Sequence, residues 1–127
     1  MCGITGIIGA LNVPPPVELG RLTAHRGPNN LGFAQFKDAT LIHNRLSIID
    51  LSSEANQPMT SGDDRYVIIY NGEIYNFLTL RTELENLSCH FNTRSDTEVI
   101  LLGYKKWGTS LLDKLDGMFA FAIWDKL

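Results

Sequence analysis

The order of apolar and polar residues along the chain predicts a mixed α+β domain. Short apolar runs rich in β-branched and aromatic residues are typical of strands, and turn residues bound each of them. A polar stretch at 54–64, which contains several turn signals, is predicted to be a loop. The predicted strands cover 4–8, 32–36, 40–49, 65–70 and 118–124, and the fourth is expected to end at Asn71-Gly72.

Three segments have the spacing of helices. A brief helix is predicted at 17–24, after three consecutive prolines. Apolar residues recur at spacings of three and four between 77 and 87, which predicts an amphipathic helix with Asn76 as its N-cap. A longer helix is predicted to begin with a capping box at 95–98 and to end near Gly108.

The last predicted strand, at 118–124, is apolar on both faces, and a turn begins after it at Asp125. Such a strand needs a partner on each edge, because an unpaired apolar edge promotes aggregation. We therefore expect the chain to be the front part of a longer protein. In this interpretation residues 1–127 form one domain that is incomplete at its C-terminal side.

The composition argues against several classes of protein. With 127 residues, of which 44% are hydrophobic, the chain has enough material for one core. A net charge of −3 without a basic patch disfavours binding to nucleic acid. No apolar run approaches the length that spans a membrane, and the N-terminus lacks the features of a signal peptide. The two cysteines form no disulfide framework, which favours a reducing cytoplasm, and no metal-ligand spacing or phosphate-binding loop is present.

Cys2 is the first residue with the chemistry of a nucleophile. Its side chain is small enough for an aminopeptidase to remove Met1, and the freed α-amino group can then act as a base beside the thiol of the same residue. No separate histidine or carboxylate is needed. The alternative is that Cys2 is a small buried residue at the start of a strand.

Asn71-Gly72-Glu73 is a second candidate, because an amide side chain and a backbone N–H close together can stabilise an oxyanion. The alternative is a simple hairpin turn, which Asn-Gly strongly favours. Arg45 interrupts an apolar strand, so its guanidinium is expected to bind either a substrate carboxylate or an internal aspartate. Asp96 is a candidate for holding a substrate ammonium, although a helix start explains an acidic residue equally well. His25 and His43 are weaker catalytic candidates.

Seven short motifs follow one another along the chain: Met1-Cys2-Gly3-Ile4, His25-Arg26-Gly27-Pro28, His43-Asn44-Arg45-Leu46-Ser47-Ile48-Ile49-Asp50, Gln57-Pro58, Asn71-Gly72-Glu73-Ile74-Tyr75-Asn76, Ser95-Asp96-Thr97-Glu98 and Gly117-Met118-Phe119-Ala120-Phe121. In this order they closely resemble the N-terminal glutaminase domain of the glutamine-hydrolysing asparagine synthetases, a branch of the class II glutamine amidotransferases. The resemblance covers essentially the whole chain.

The resemblance implies an N-terminal-nucleophile hydrolase fold with four αββα layers. It also implies that Cys2 attacks the side-chain amide of glutamine while Asn71 and Gly72 stabilise the oxyanion. The implied substrate-binding residues are Arg45 for the α-carboxylate, Asp96 with Glu73 for the α-ammonium, and Leu46, Ser47, Ile48 and Ile49 for the pocket wall.

The partners follow from the same resemblance. Ammonia is expected to pass to a synthetase domain, absent from this chain, in which ATP and Mg²⁺ activate aspartate; no cofactor is expected in residues 1–127. Asn29 stands where the family typically has aspartate, and the segment between Gly9 and His25 is short and proline-rich; both are expected to lie away from the glutamine contacts. A non-catalytic truncated remnant and a glutaminase serving a sugar or other acceptor stay open as alternatives, as does a homodimer.

Overall fold

The computed structural model describes residues 1–9, 14–48 and 50–127, and in these it contains six strands and three α-helices. Short 3₁₀ turns lie at Ala24–Arg26, Ser53–Ala55 and Gly108–Lys114. The strands are β1 (Gly3–Ile8), β2 (Asn30–Gln35), β3 (Ala39–Arg45), β4 (Met59–Thr60), β5 (Tyr66–Ile74) and β6 (Gly117–Asp125), and the helices are α1 (Pro16–Leu22), α2 (Phe77–Asn86) and α3 (Asp96–Trp107).

The strands form two antiparallel sheets that pack face to face. The first sheet has the order β1-β3-β2 and the second has the order β4-β5-β6. Leu41 of the first sheet packs against Val67 and Ile69 of the second, and these residues form the core between the sheets. This arrangement is favourable because alternate residues of each strand point to one face, which leaves two apolar faces to bury together.

Helices cover the outer faces of both sheets. Ile68 on the outer face of β5 packs with Leu84 of α2 and Ile100 of α3 in the larger apolar core. On the other side, Gly20 of α1 lies so close to Leu31 of β2 that a Cβ would meet the leucine side chain at 2.5 Å. The layers therefore follow the order helix, sheet, sheet, helices, as the αββα prediction requires.

Strand β5 differs from its prediction, because it continues through Asn71 and Gly72 to Ile74. Strand β6 pairs with it along its whole length, from Tyr66 opposite Asp125 to Ile74 opposite Gly117. The backbones approach closely at Gly72, where a Cβ would lie 2.6 Å from the Cα atom of Phe119. The predicted strand end, and with it the hairpin-turn alternative for Asn71-Gly72, is wrong.

Two other boundaries also differ. Strand β3 ends at Arg45, whose carbonyl accepts a hydrogen bond from the N–H of Asn29, rather than at position 49. The two-residue strand β4 lies inside the segment predicted as loop. A strand of two residues is too short to produce a recognisable apolar alternation, so the sequence pattern missed it.

The predicted helix caps have different outcomes. Ser95 is confirmed as a cap, since its Oγ accepts the N–H of Thr97 at 3.1 Å. Glu98 does not complete the capping box, because its carboxylate accepts the N–H groups of Asn92 and Thr93 instead. Asn76 precedes α2 without capping it; its amide joins the carbonyl of Lys114 and the N–H of Asp116, which ties α2 to the segment before β6.

Strand β6 was predicted to be buried on both faces and is less buried than that. Within residues 1–9, 14–48 and 50–127, β5 is the only strand that pairs with it, and the side chain of Met118 is 72% exposed. Among the described helices, none combines the length and the apolar character needed to cross a membrane.

Helix α2 offers a test of the larger core. Leu84→Ala is expected to lower the free energy of unfolding by about 3 kcal/mol, because Leu84 is 0% exposed and truncation leaves a cavity. The matched change Leu78→Ala, on the same helix at a residue that is 64% exposed, is expected to lower it by less than about 0.5 kcal/mol. Urea unfolding followed by circular dichroism measures both, and equal midpoints for the two variants would contradict this packing.

Candidate active site

A cavity of about 210 Å³ lies between the N-terminus, the end of β3, strand β5 and the start of α3. Most of the residues that the sequence pointed to line it: Cys2, Arg45, Leu46, Ile48, Asn71, Gly72, Glu73 and Asp96. Ser47 is not part of the wall, and Ile49 lies outside the described residues. The structure therefore brings together residues separated by more than ninety positions in the sequence.

The thiol of Cys2 lies in the wall of this cavity. The pairing of β1 with β3 sets Gly3 opposite Asn44, which carries Cys2 to the residues that follow β3. The N–H of Leu46 lies 3.3 Å from Sγ of Cys2, and Sγ lies 3.7 Å from the carbonyl oxygen of Leu46. Cys2 is half-buried and belongs to neither apolar core.

Arg26 also contacts Cys2, a role that the sequence did not indicate. Its Nε donates a 3.1 Å hydrogen bond to the carbonyl oxygen of Cys2. Gly27 follows it and packs directly on the backbone of Asn44 and Arg45, where a Cβ would not fit. The motif at 25–28 therefore orients the N-terminal peptide, while His25 is exposed and is absent from the cavity wall.

The side chain of Asn71 lies in the wall of the cavity. Its Oδ1 is buried without a hydrogen-bond partner among the described residues. Because Asn71 lines the cavity and its oxygen end is buried, the Nδ2 end is the one left for a ligand. An amide donor aimed into a cavity is the kind of group that stabilises an oxyanion.

Gly72 supplies a second donor through its backbone. Successive N–H groups of an antiparallel strand point to opposite edges, so those of Tyr70, Gly72 and Ile74 share one edge. The N–H of Tyr70 donates to Oε1 of Gln57 at 2.6 Å, and that of Ile74 donates to Oδ2 of Asp96 at 3.2 Å. The N–H of Gly72 lies between them, past the end of β4, and has no acceptor among the described residues.

Arg45 carries a positive charge that no described carboxylate neutralises within salt-bridge distance. Its Nη1 donates to the carbonyl of Ser52 and to Oδ1 of Asn56, both at 2.7 Å, and its Nη2 donates to the carbonyl of Asp50. All three acceptors are neutral, so they orient the guanidinium and leave its charge available for an anion.

The Asp50 carboxylate also lies in the cavity wall, near enough to Arg45 for the two charges to interact, but among the described residues it forms no salt bridge with the guanidinium. It accepts the N–H of Arg94 at 2.9 Å and the N–H of Ser52 at 2.8 Å. These hydrogen bonds, that from Arg94 first, lower the pKa of Asp50 to about 2.

Asp96 is the opposite charge in the same cavity. Asp96 is 4% exposed and is the first residue of α3, where the helix dipole favours an anion. Its Oδ2 accepts the hydroxyl of Tyr70 at 2.6 Å in addition to the N–H of Ile74. Within the described part of the chain it has no cationic partner, so an unpaired anion and the unpaired cation of Arg45 line one cavity.

Asn29 is outside the cavity wall and contacts the segment that follows β3. Its Oδ1 accepts the N–H of Ser47 at 3.0 Å. The segment after β3 is therefore held at Ser47 by this side chain and at Leu46 by the thiol of Cys2. An uncharged amide oxygen makes this contact as well as a carboxylate would.

His43 is close to the cavity without being part of its wall. It is fully buried on β3, and its Nε2 lies 3.1 Å from the carbonyl oxygen of Tyr70, so Nε2 carries the proton and Nδ1 is left without a partner. Burial lowers its pKa from 6.5 to about 4. The imidazole is therefore neutral at pH 7 and supports the backbone of β5.

The predicted site residues do not extend to the second cleft of the described surface. A wider cleft of about 940 Å³ lies between β4, the segment after α2 and the outer side of α3, and none of the predicted site residues lines it. In the part of the chain that the structure describes, no group of three His, Cys, Asp or Glu residues is placed to bind a metal ion.

The chain belongs to the glutamine amidotransferase domain family, whose family model matches residues 1–127. It is 39% identical to asparagine synthetase [glutamine-hydrolyzing] 1 of Bacillus subtilis over 99% of this chain and 21% of that protein. It is 43% identical to a putative asparagine synthetase [glutamine-hydrolyzing] of Mycobacterium bovis, over 97% of this chain and 20% of that protein. The chain thus spans about a fifth of the length of these relatives.

A solved structure confirms the predicted fold class. Glutamine phosphoribosylpyrophosphate (PRPP) amidotransferase from B. subtilis, complexed with ADP and GMP, superimposes with a TM-score of 0.57. The two chains are 28% identical, and the match covers 68% of this chain and 21% of the solved one. The prediction of an N-terminal-nucleophile amidotransferase fold, made from the motifs, is confirmed.

The buried imidazole predicts a pH-dependent stability. Because the pKa of His43 is about 4 in the folded chain and 6.5 when unfolded, the unfolded chain binds the extra proton as the pH falls from 6.5 to 4. Stability that is complete above pH 6.5 is expected to fall by about 3 kcal/mol over this window. His43→Gln keeps an N–H donor but has no titratable group. The urea midpoint of this variant is therefore expected to change less between pH 6.5 and pH 4 than that of the original chain. Parallel losses in both chains would refute this assignment.

Proposed function

We propose that the chain hydrolyses the side-chain amide of glutamine to glutamate and ammonia. The observation that carries the proposal is the content of one cavity: a thiol, an amide donor, a free backbone N–H, an unpaired cation and an unpaired anion. Amide hydrolysis needs the first three groups, and recognition of an amino acid zwitterion needs the last two.

Substrate binding follows from the charges. The α-carboxylate of glutamine binds the guanidinium of Arg45, and the α-ammonium binds Asp96, with Glu73 assisting from the exposed rim. The methylene groups lie against Leu46 and Ile48 in the cavity wall. The amide carbon then lies near the thiol of Cys2.

The first step forms a thioester. The free α-amine of Cys2 takes the proton from the thiol, and Sγ attacks the amide carbon of glutamine. Negative charge develops on the amide oxygen, where Nδ2 of Asn71 and the N–H of Gly72 stabilise it. The C–N bond then breaks, and the α-ammonium of Cys2 gives its proton to the leaving nitrogen, which departs as ammonia.

The second step restores the thiol. Water attacks the γ-glutamyl thioester while the α-amine accepts one of its protons. The C–S bond breaks, the sulfur regains the proton from the ammonium, and glutamate leaves. The same two donors stabilise the second oxyanion.

The mechanism requires the removal of Met1, because the α-amine of Cys2 is otherwise part of a peptide bond. Met1 is 69% exposed at the mouth of the cavity, and Cys2 is small enough to allow cleavage by an aminopeptidase. The carbonyl of Cys2, held by Arg26, keeps the new N-terminus in place after the cut.

The ammonia serves a synthetase domain of a longer, cytoplasmic protein, in which ATP and Mg²⁺ drive the amidation of aspartate. The similarity to asparagine synthetases that are about five times as long as this chain supports this assignment. In this proposal ATP and Mg²⁺ act in the synthetase domain, and the hydrolysis of glutamine needs only the groups named above. The alternatives of a remnant or of another acceptor are not better supported than this assignment.

Covalent labelling tests the nucleophile. With Met1 removed, the glutamine analogue 6-diazo-5-oxo-norleucine is expected to add once to the chain, as measured by intact mass, because the thiol of Cys2 is the nucleophile in the cavity. Cys2→Ala is expected to abolish the adduct, whereas Cys89→Ala, which removes the other cysteine, should keep it. A folded, Met-less chain that stays unlabelled would refute the proposal.

The oxyanion donor gives a separate prediction. Asn71→Ala is expected to lower kcat for ammonia release from glutamine about 100-fold with little change in KM. Alkylation of Cys2 by iodoacetamide should proceed at the original rate, because that reaction forms no oxyanion. Asn86→Ala, at the exposed end of α2, is the matched control and should change neither rate. A parallel loss of alkylation in Asn71→Ala would show damage to the site instead of loss of a donor.

A further inference from the structure

Tyr70 lines the cavity next to Asp96. Along β5, alternate side chains face opposite sides of the sheet, so Tyr70 faces α3 while its neighbour Asn71 faces the other way. The hydroxyl of Tyr70 thereby reaches the carboxylate of Asp96 at the first residue of α3.

The contact occupies one particular oxygen of that carboxylate. Oδ2 of Asp96 accepts the hydroxyl of Tyr70 at 2.6 Å and the N–H of Ile74 at 3.2 Å. Among residues 1–9, 14–48 and 50–127, no group donates a hydrogen bond to Oδ1. Two donors on one oxygen fix the plane of the carboxylate and leave the other oxygen for a ligand.

The phenol is a neutral and constant donor. Burial, then the hydrogen bond to Asp96, raises the pKa of Tyr70 far above its usual value, so the hydroxyl stays protonated at any physiological pH. A protonated phenol orients the carboxylate without cancelling its charge. A lysine or arginine at this place would form an ion pair and remove the anion from the cavity.

The backbone of Tyr70 is held as firmly as its ring. Its N–H donates to Oε1 of Gln57 at 2.6 Å, and its carbonyl accepts a hydrogen bond from Nε2 of His43 at 3.1 Å. Gln57 is itself fixed, because its Nε2 donates to Oγ1 of Thr97 in the first turn of α3. The ring therefore projects from a backbone that is tied to both sheets and to the helix.

We propose that Tyr70 is a positioning residue for substrate selection: its hydroxyl holds Oδ2 of Asp96 so that Oδ1 meets the α-ammonium of the amino acid. This inference rests on the proposed function and deepens it. Through its hydrogen bond to Asp96, Tyr70 thereby contributes to the preference for an amide substrate that carries an α-ammonium over one that lacks it.

Kinetics with two substrates test the inference. Glutaramate has the carboxylate and the side-chain amide of glutamine without the α-ammonium. Tyr70→Phe is expected to lower kcat/KM for glutamine about tenfold, mainly through KM, because a hydrogen bond to a charged group is lost. For glutaramate the same change should alter kcat/KM by less than about twofold, because that substrate makes no ammonium contact.

Tyr66→Phe is the matched control. Tyr66 lies on the same strand and the same face of the sheet, four residues earlier, and its ring packs against Tyr104 far from Asp96. It should leave both substrates unchanged. In the background of Asp96→Asn, Tyr70→Phe should have almost no further effect, since the group on which it acts is gone. Equal losses for glutamine and glutaramate, or no loss for either, would overturn the inference.

Measuring ligand binding to the Cys2→Ala variant tests this inference independently of the proposed hydrolysis. In that variant, calorimetry measures the Kd of glutamine without turnover, and Tyr70→Phe is expected to raise it about tenfold while the Kd of glutaramate stays the same. If glutamine binds in this way but the chain with Cys2 releases no ammonia, the inference survives and the proposed hydrolysis fails. If glutamine does not bind at all, both fail.

Discussion

One edge of strand β5 is unpaired beyond Ile68, because its neighbour β4 has only two residues. The candidate site is built along this unpaired edge. The N–H and C=O groups on that edge still require partners, since an unpaired buried backbone group is costly. Side chains supply them: Gln57 and His43 bind Tyr70, and Asp96 binds the N–H of Ile74. The N–H of Gly72 alone has no protein acceptor among the described residues, and it faces the cavity. The interruption of the sheet thus leaves one backbone N–H facing the cavity.

The same interruption brings two opposite charges to one place without pairing them. Asp96 reaches the open edge of β5 from the start of α3, and Arg45 reaches the cavity from the end of β3. Each is held by neutral hydrogen-bond partners, which orient a charge without neutralising it. Burial makes both charges costly while the cavity is empty, and a zwitterionic ligand relieves that cost. The proposed affinity for glutamine therefore depends on contacts that leave these charges unpaired.

The elements whose signals are local were predictable, and those that depend on distant partners were not. The strands near 4–8 and 32–36, helices α2 and α3 and the Ser95 cap follow from patterns within a few residues. Strand β4 forms because Met59 and Thr60 pair with β5. Strand β5 continues through Asn71-Gly72 because β6 pairs with it over its whole length. The amide of Asn76 serves residues forty positions away rather than its own helix. Hydrogen bonds of this kind leave no periodic trace in a sequence.

By itself the sequence determined the chemical types in the site, because a thiol at position 2 and the motifs around Arg45, Asn71 and Asp96 are local features of the chain. The tertiary structure alone decided how each one is used. Sheet pairing carries Cys2 to Leu46, strand alternation turns Tyr70 and Asn71 to opposite faces, and the packing of α3 on β5 sets Asp96 against the hydroxyl of Tyr70. These contacts join residues 26 to 44 positions apart, and burial, charge and hydrogen-bond geometry arise only when such residues meet.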